Sequence, residues 1–299
     1  MLNSHGHEES ACRIERAQPC LGTLVSISVE AHDAPSTYRI VDTGFAAIAQ
    51  VHRLMSFHEP ESDVSRLNRS ASILPVTVHP HTAEVIRLAL DISAASDGVF
   101  DITIAGKLIE SGLLPVPVNA PPPDANATWR DIEFVAPDCI RFRRPTWIDL
   151  GGIAKGYAVD QAIERMQLPQ QAQRCVNAGG DLRIAGPGRR QVLLRVPGHP
   201  SEHVPTIEIA SGSIASSSRA AASQQIEAFK GPHIHGVTRK HVAIDEFASV
   251  LAERCVIADA LTKVALACGH DAAAILARFG ATAFLHSPGK GWHCFGYDA

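Results

Sequence analysis

A succession of short apolar runs through the middle of the chain constrains its fold most. Residues 132–135, 139–142, 147–150, 174–177, 182–185, 191–196 and 206–210 are separated by glycine, proline and polar turns. Runs of that length and spacing read as strands. One helical stretch, residues 155–166, interrupts them. Ahead of them, Leu24 to Val29 alternates in part and reads as a strand. Ser36 is placed to cap a helix running to about Met55, with Ile40, Gly44, Ile48, Val51 and Met55 on one face. A second helix starts near Thr82 and ends before the turn at Asp97-Gly98. Residues 255–268 and 271–279 read as helices stopped by Gly269 and Gly280, and residues 281–286 and 292–297 as closing strands. Strands that dominate the middle of a mixed order predict an α+β fold, with mixed or antiparallel sheets and flanking helices. Residues 1–15 are polar and expected to be mobile, residues 16–299 to form one domain, and the proline-rich residues 115–128 a loop within it.

The 299 residues are 45% apolar, enough for a sizeable core. Net charge is −4 and no long basic run occurs, which argues against a nucleic-acid partner. No stretch reads as long and apolar enough to span a bilayer. Seven cysteines without a Cys-x-x-Cys spacing argue against a disulfide framework and a zinc–thiolate site. Reduced, mostly buried thiols are expected instead. Residues 1–9 lack the pattern of an export signal, so a cytoplasmic location is expected; a trimmed chain would fit the periplasm. His79-Pro80-His81 and His233-Ile234-His235 have metal-like spacing. Proline favours a turn for the first pair, and the second is a candidate for ligand contact.

Chemistry concentrates in Asp149-Leu150-Gly151-Gly152-Ile153-Ala154-Lys155-Gly156-Tyr157-Ala158-Val159-Asp160. An apolar run ends in an acid and two glycines, and a helix begins at a lysine. Such a turn brings backbone N–H groups to an anion at a helix N-terminus, and the lysine adds positive charge. A phosphate-bearing ligand is implied, against the plainer reading of an ordinary strand-to-helix turn. No Gly-x-Gly-x-x-Gly follows the first strand and no Walker sequence occurs, which disfavours those two nucleotide folds.

Further segments stand in order around this turn. They are Leu21-Gly22-Thr23, the stretch from Met55-Ser56-Phe57-His58 to Asn68, Asp97-Gly98-Val99-Phe100-Asp101-Ile102-Thr103, Asn177-Ala178-Gly179-Gly180-Asp181 and Ala258-Asp259-Ala260-Leu261-Thr262. Together, from about residue 16 onward, they resemble the ApbE family, the FAD:protein FMN transferases. The resemblance implies binding of FAD and Mg²⁺, cleavage of the pyrophosphate, and transfer of FMN to a threonine or serine hydroxyl of an acceptor protein, with release of AMP. Related members hydrolyse FAD to FMN and AMP. It also implies residue roles. Asp259 matches the metal-binding aspartate and Ala154 the alanine whose carbonyl is a ligand. Lys155, with Gly151 and Gly152, would hold phosphate charge. Asp101 and Thr103 match the element lining the flavin, and Asn177, Gly179, Gly180 and Asp181 the turn bordering the nucleotide. His233 is the candidate to orient or deprotonate the acceptor hydroxyl. Each match also has a local reading, as a cap or a turn residue.

Four departures accompany the match. Lys263 stands where the family has its metal-binding threonine. Thr262 is the remaining hydroxyl candidate for the metal, one residue away and so turned by about 100° on a helix. The segment His-Ile-Ile-Asp-Pro-x-Thr-Gly has become His233-Ile234-His235-Gly236-Val237-Thr238-Arg239-Lys240. Ser216-Ser217-Ser218 replaces Thr-Ser-Gly, leaving Ser216 and Ser217 as candidates beside the flavin. His58 replaces a tyrosine and is a candidate to stack on the flavin, with less area than a phenol. Two alternatives follow: a protein that holds FAD without transferring FMN, and an FAD pyrophosphatase.

Overall fold

The computed structural model describes residues 12–31, 34–167, 172–196, 204–218, 231–242 and 246–297. Strands β1 (Cys12–Cys20) and β2 (Thr23–Ala31) form a hairpin, followed by α1 (Ala34–Met55) and α2 (Asp63–Ser70). Then come β3 (Val76–Thr77), α3 (Pro80–Ala95), α4 (Ala105–Glu110), β4 (Ile132–Ala136) and β5 (Cys139–Phe142). Helix α5 (Ala154–Arg165) leads into β6 (Gln173–Ala178), β7 (Asp181–Ala185), β8 (Arg190–Leu193), β9 (Thr206–Ile209), β10 (Gly212–Ser218) and β11 (Phe247–Ala252). Helices α6 (Cys255–Cys268) and α7 (Ala273–Arg278) precede β12 (Thr282–Ser287) and β13 (Gly291–Gly296).

The predicted α+β architecture is present. One sheet runs β1-β2-β6-β7-β10-β11-β12-β13, with every neighbouring pair antiparallel. Helix α1 packs on α5 and β2, α5 on α6 and β6–β7, and α6 on β10 and β11. The main core lies there, around Ile27, Ile48, Ile153, Tyr157, Val250 and Leu261. A smaller core joins Leu182, Ile214 and Phe247 of the sheet to Ile209 of the β8–β9 pair.

Several expectations change. Residues 12–15 belong to β1 rather than to a mobile segment; residues 1–11 lie outside the described ones. Its alternating charges (Arg13, Glu15, Arg16) suit an edge strand but conceal it in the sequence. Trp147, Ile148 and Leu150 are buried, but residues 147–150 do not form a strand. Ile148 pairs with a side chain: Asn68 Nδ2 donates to Ile148 O (3.0 Å) and Asn68 Oδ1 accepts from Ile148 N (2.8 Å), while Asp149 N donates to Ile102 O (2.9 Å). His79-Pro80-His81 is a helix start, with His79 accepting from His81 N and Pro80 in the first turn.

Contrary to the sequence reading, residues 255–278 are long and apolar enough to cross a membrane by length and composition alone. In this fold the stretch breaks at Gly269, whose φ is +56°, and most of α6 is core. Among the described residues six cysteines are free. Only Cys255 of these is buried and Cys294 is exposed, so most thiols are less buried than expected.

Candidate functional site

The site grows from the crossing of α5 and α6. Neither helix has a side-chain cap of its own at its N-terminus, where Ile153 and Arg254 stand. Each borrows a carboxylate from the other. Asp160 on α5 accepts from Cys255 N and Val256 N, both at 2.9 Å, at the start of α6. Asp259 on α6 accepts from Gly156 N (2.9 Å) in the first turn of α5. Anions at helix N-termini are favourable because the first amides lack intrahelical acceptors. Gly156 permits the approach. A Cβ there would lie 2.3 Å from Cys255 O and 2.8 Å from the Asp259 Cβ.

This crossing narrows the anion cradle read from the glycine turn. Gly151 N is taken by Asp149 Oδ2 (3.1 Å), Ala154 N by Leu150 O (2.8 Å), and Gly156 N by Asp259.

Beside the turn opens a cavity of about 840 Å³. Its wall brings together eleven of the expected residues: His58, Asp101, Gly151, Gly152, Ala154, Lys155, Gly179, Gly180, Ser216, Ser217 and His233. Phe57, Phe100, Leu113 and Leu114 add apolar surface that suits an aromatic ligand. Thr103, Asn177, Asp181, Asp259 and Thr262 do not line it and stand behind the wall. Asn177 Oδ1 accepts from Gly180 N (2.9 Å), which is the local turn role. Gly179, at φ +63°, sits where a Cβ would lie 2.4 Å from Thr23 Oγ1.

The charges are paired. Lys155 Nζ lies 2.5 Å from Asp181 Oδ2, and Lys263 Nζ bonds Asp259 Oδ1 and also Asp259 O (2.9 Å). Burial and the neighbouring Asp259 push Asp181 up to about 6, against the pull of Lys155 and Lys263. Burial opposes the charge on Lys155, yet Asp259 and Asp181 outweigh it and its pKa is raised. Burial, then Lys263, pushes His233 down to about 4. His233 is therefore neutral at pH 7. Its Nε2 is buried and has no hydrogen-bond partner among the described residues. Asp149, also on the wall, is pushed up to about 6 by burial.

Asp101 and Thr103 are engaged in a way the sequence did not reveal. Arg239 Nη2 donates to Asp101 Oδ2 (3.0 Å), Thr103 Oγ1 (3.0 Å) and Ala127 O (2.8 Å). The available signal was a new cation in a segment already noted as altered. His235, the other member of its pair, holds its own loop by accepting from Val237 N (3.2 Å).

The expected metal ligands do not fit a divalent cation. One oxygen of Asp259 holds the Lys263 ammonium and the other an amide. The Thr262 hydroxyl donates to Asp259 O (2.7 Å) and pairs with Ser217 Oγ (2.8 Å). A dication about 4 Å from the ammonium would meet a repulsion on the order of 8 kcal/mol at an effective dielectric of about 20. Among the described residues no cluster of three or more His, Cys, Asp or Glu suits a metal.

The sequence profile of the ApbE family matches residues 21–285. The chain belongs to the ApbE family. It is 25% identical over 154 residues to an FAD:protein FMN transferase of Haemophilus influenzae, covering 47% of this chain and 44% of that one. It is 24% identical over 200 residues to the FAD:protein FMN transferase of Vibrio cholerae, covering 64% and 60%. The chain thus spans about half the length of the curated relatives it matches. The fold is that of solved relatives. The ApbE protein of Thermotoga maritima superposes with a TM-score of 0.82 at 23% identity, over 96% of this chain and 97% of that one. The apo flavinyl transferase ApbE of Pseudomonas stutzeri gives 0.79 at 18% identity, over 96% and 95%.

Proposed function

We propose that this ApbE-family chain binds FAD in the cavity and transfers FMN to a threonine or serine hydroxyl of an acceptor protein, releasing AMP. One observation carries the reading: a neutral histidine with an unpartnered Nε2 shares a wall with two lysine ammoniums. The apolar part of the wall, with Phe57, His58 and Phe100, suits the flavin ring. The lysines suit the pyrophosphate. The acceptor Oγ attacks the FMN phosphorus, and its proton passes to His233 Nε2. The bond from that phosphorus to the bridging oxygen breaks, and AMP leaves with that oxygen on its phosphate. A positioned base of this kind contributes roughly 10²–10⁴-fold to such a step. No step is routed through Mg²⁺, because the Asp259 carboxylate is already occupied.

That same occupied carboxylate favours a second reading, FAD binding without transfer. If water replaces the acceptor hydroxyl, the site is a pyrophosphatase. One incubation separates the three. The purified chain is mixed with FAD and a flavin-acceptor domain, AMP is followed by chromatography and the acceptor by intact mass. Transfer gives AMP and an FMN-sized mass gain. AMP with free FMN establishes hydrolysis, and bound FAD with neither product overturns the transfer reading for that acceptor.

A further inference from the structure

The two lysines of the cavity share one construction. Lys155 and Lys263 both line it, with side chains 28% and 19% exposed. Their partners, Asp181 and Asp259, stand behind the wall with side chains 1% exposed. Each ammonium is thus anchored from the protein side by a buried carboxylate and presented to the cavity. Lys263 is held as a small cation would be, by the carboxylate and the backbone carbonyl of one residue. The hydroxyl one position earlier, Thr262, is used up within the wall. The Gly151-Gly152 turn borders the same place: a Cβ on Gly152 would lie 3.7 Å from Lys263 Cε.

On the reading that the cavity takes FAD, we infer that this chain neutralises the pyrophosphate with the ammoniums of Lys155 and Lys263 and uses no divalent cation. Lys263 occupies the carboxylate that a metal would need, and its charge is fixed in the fold rather than recruited from solution. An ammonium supplies three donors and one charge, with no open coordination position. Phosphate oxygens meet N–H groups here.

The test uses the full chain and Mn²⁺ as the probe, titrated against free-ion electron paramagnetic resonance. The wild-type chain is expected to show no saturable Mn²⁺ site through the low-millimolar range. Lys263→Thr is expected to gain one, which Asp259→Asn in the same background removes. Lys263→Gln repeats the test should the threonine variant fold poorly, as judged by circular dichroism. In parallel, FAD fluorescence quenching is titrated in EDTA and in MgCl₂. Wild-type affinity is expected to agree in the two buffers within about two-fold, and Lys263→Gln to weaken it about ten-fold in EDTA. A single Mn²⁺ site in the wild-type chain, or about ten-fold tightening of FAD by Mg²⁺, overturns the inference. Failure of FAD to bind in either buffer overturns the reading on which the inference rests. The Mn²⁺ titration tells that failure from the first.

Discussion

Asp160 and Asp259 are both buried carboxylates at the crossing of α5 and α6, and each closes the N-terminus of the other's helix. They differ in what else they hold. Asp160 takes two amides and the guanidinium of Arg183 at 2.8 Å, and all of these partners are framework. Asp259 takes one amide and an ammonium that lines the cavity. The same chemistry thus serves the fold on one side of the crossing and the cavity wall on the other. Residue type, helix position and even the partner's exposure, 19% for both cations, do not separate the two acids; only the Asp259 partner lines the cavity.

The largest effect should come from Asp160→Ala. It strands two helix-start amides and leaves Arg183 to the half-exposed Glu164 at 3.3 Å. Breaking a buried pair from one side costs about 3–5 kcal/mol, read as a lowered urea midpoint. A loss below about 1 kcal/mol would show that Asp160 is not the keystone of the crossing. Gly156→Ala should follow, at about 1–3 kcal/mol, because the added methyl meets the backbone of α6. A neutral outcome would mean that the helices separate easily.

Asp259→Asn sharpens the contrast. The amide oxygen can still accept from Gly156, and Lys263 keeps Asp259 O, so stability should fall by only about 1 kcal/mol. FAD affinity should change in this variant and not in Asp160→Asn. Equal affinities would erase the distinction between the two acids.

His233 adds a pH dependence of stability. Its pKa in the fold, about 4, lies below the ordinary 6.5, so the unfolded chain binds the proton first. The stabilising contribution is complete above pH 6.5 and is lost as pH falls from 6.5 to about 4. His233→Asn should flatten that part of the stability curve, and an unchanged slope would show that the ring already titrates normally.

Much of the frame was legible in sequence. The periodic helices α1, α3, α5 and α6 and the strands bounded by glycine turns obey local rules, and they emerged near their expected bounds. Strands β10 and β11 did not. One is Gly-Ser-Ile-Ala-Ser-Ser-Ser and the other a near-continuous buried run, so neither alternates. The wall residues of the cavity were found through ordered motifs. Their roles were harder, because the deciding contacts join distant segments. Asp259 meets Gly156 across 103 residues, and Arg239 meets Asp101 across 138. Lys263 could be seen to replace a hydroxyl, but only the folded helix shows that it bonds Asp259, four residues back.

The most direct measurement is single-turnover AMP release from FAD, with an acceptor domain that the wild-type chain flavinylates, by wild type and His233→Ala side by side. FAD affinity is checked by fluorescence in both. The variant is predicted to bind FAD as tightly as wild type and to release AMP about 10²–10⁴-fold more slowly. Equal rates in the two proteins would contradict His233 as the base and, with it, the proposed transfer mechanism.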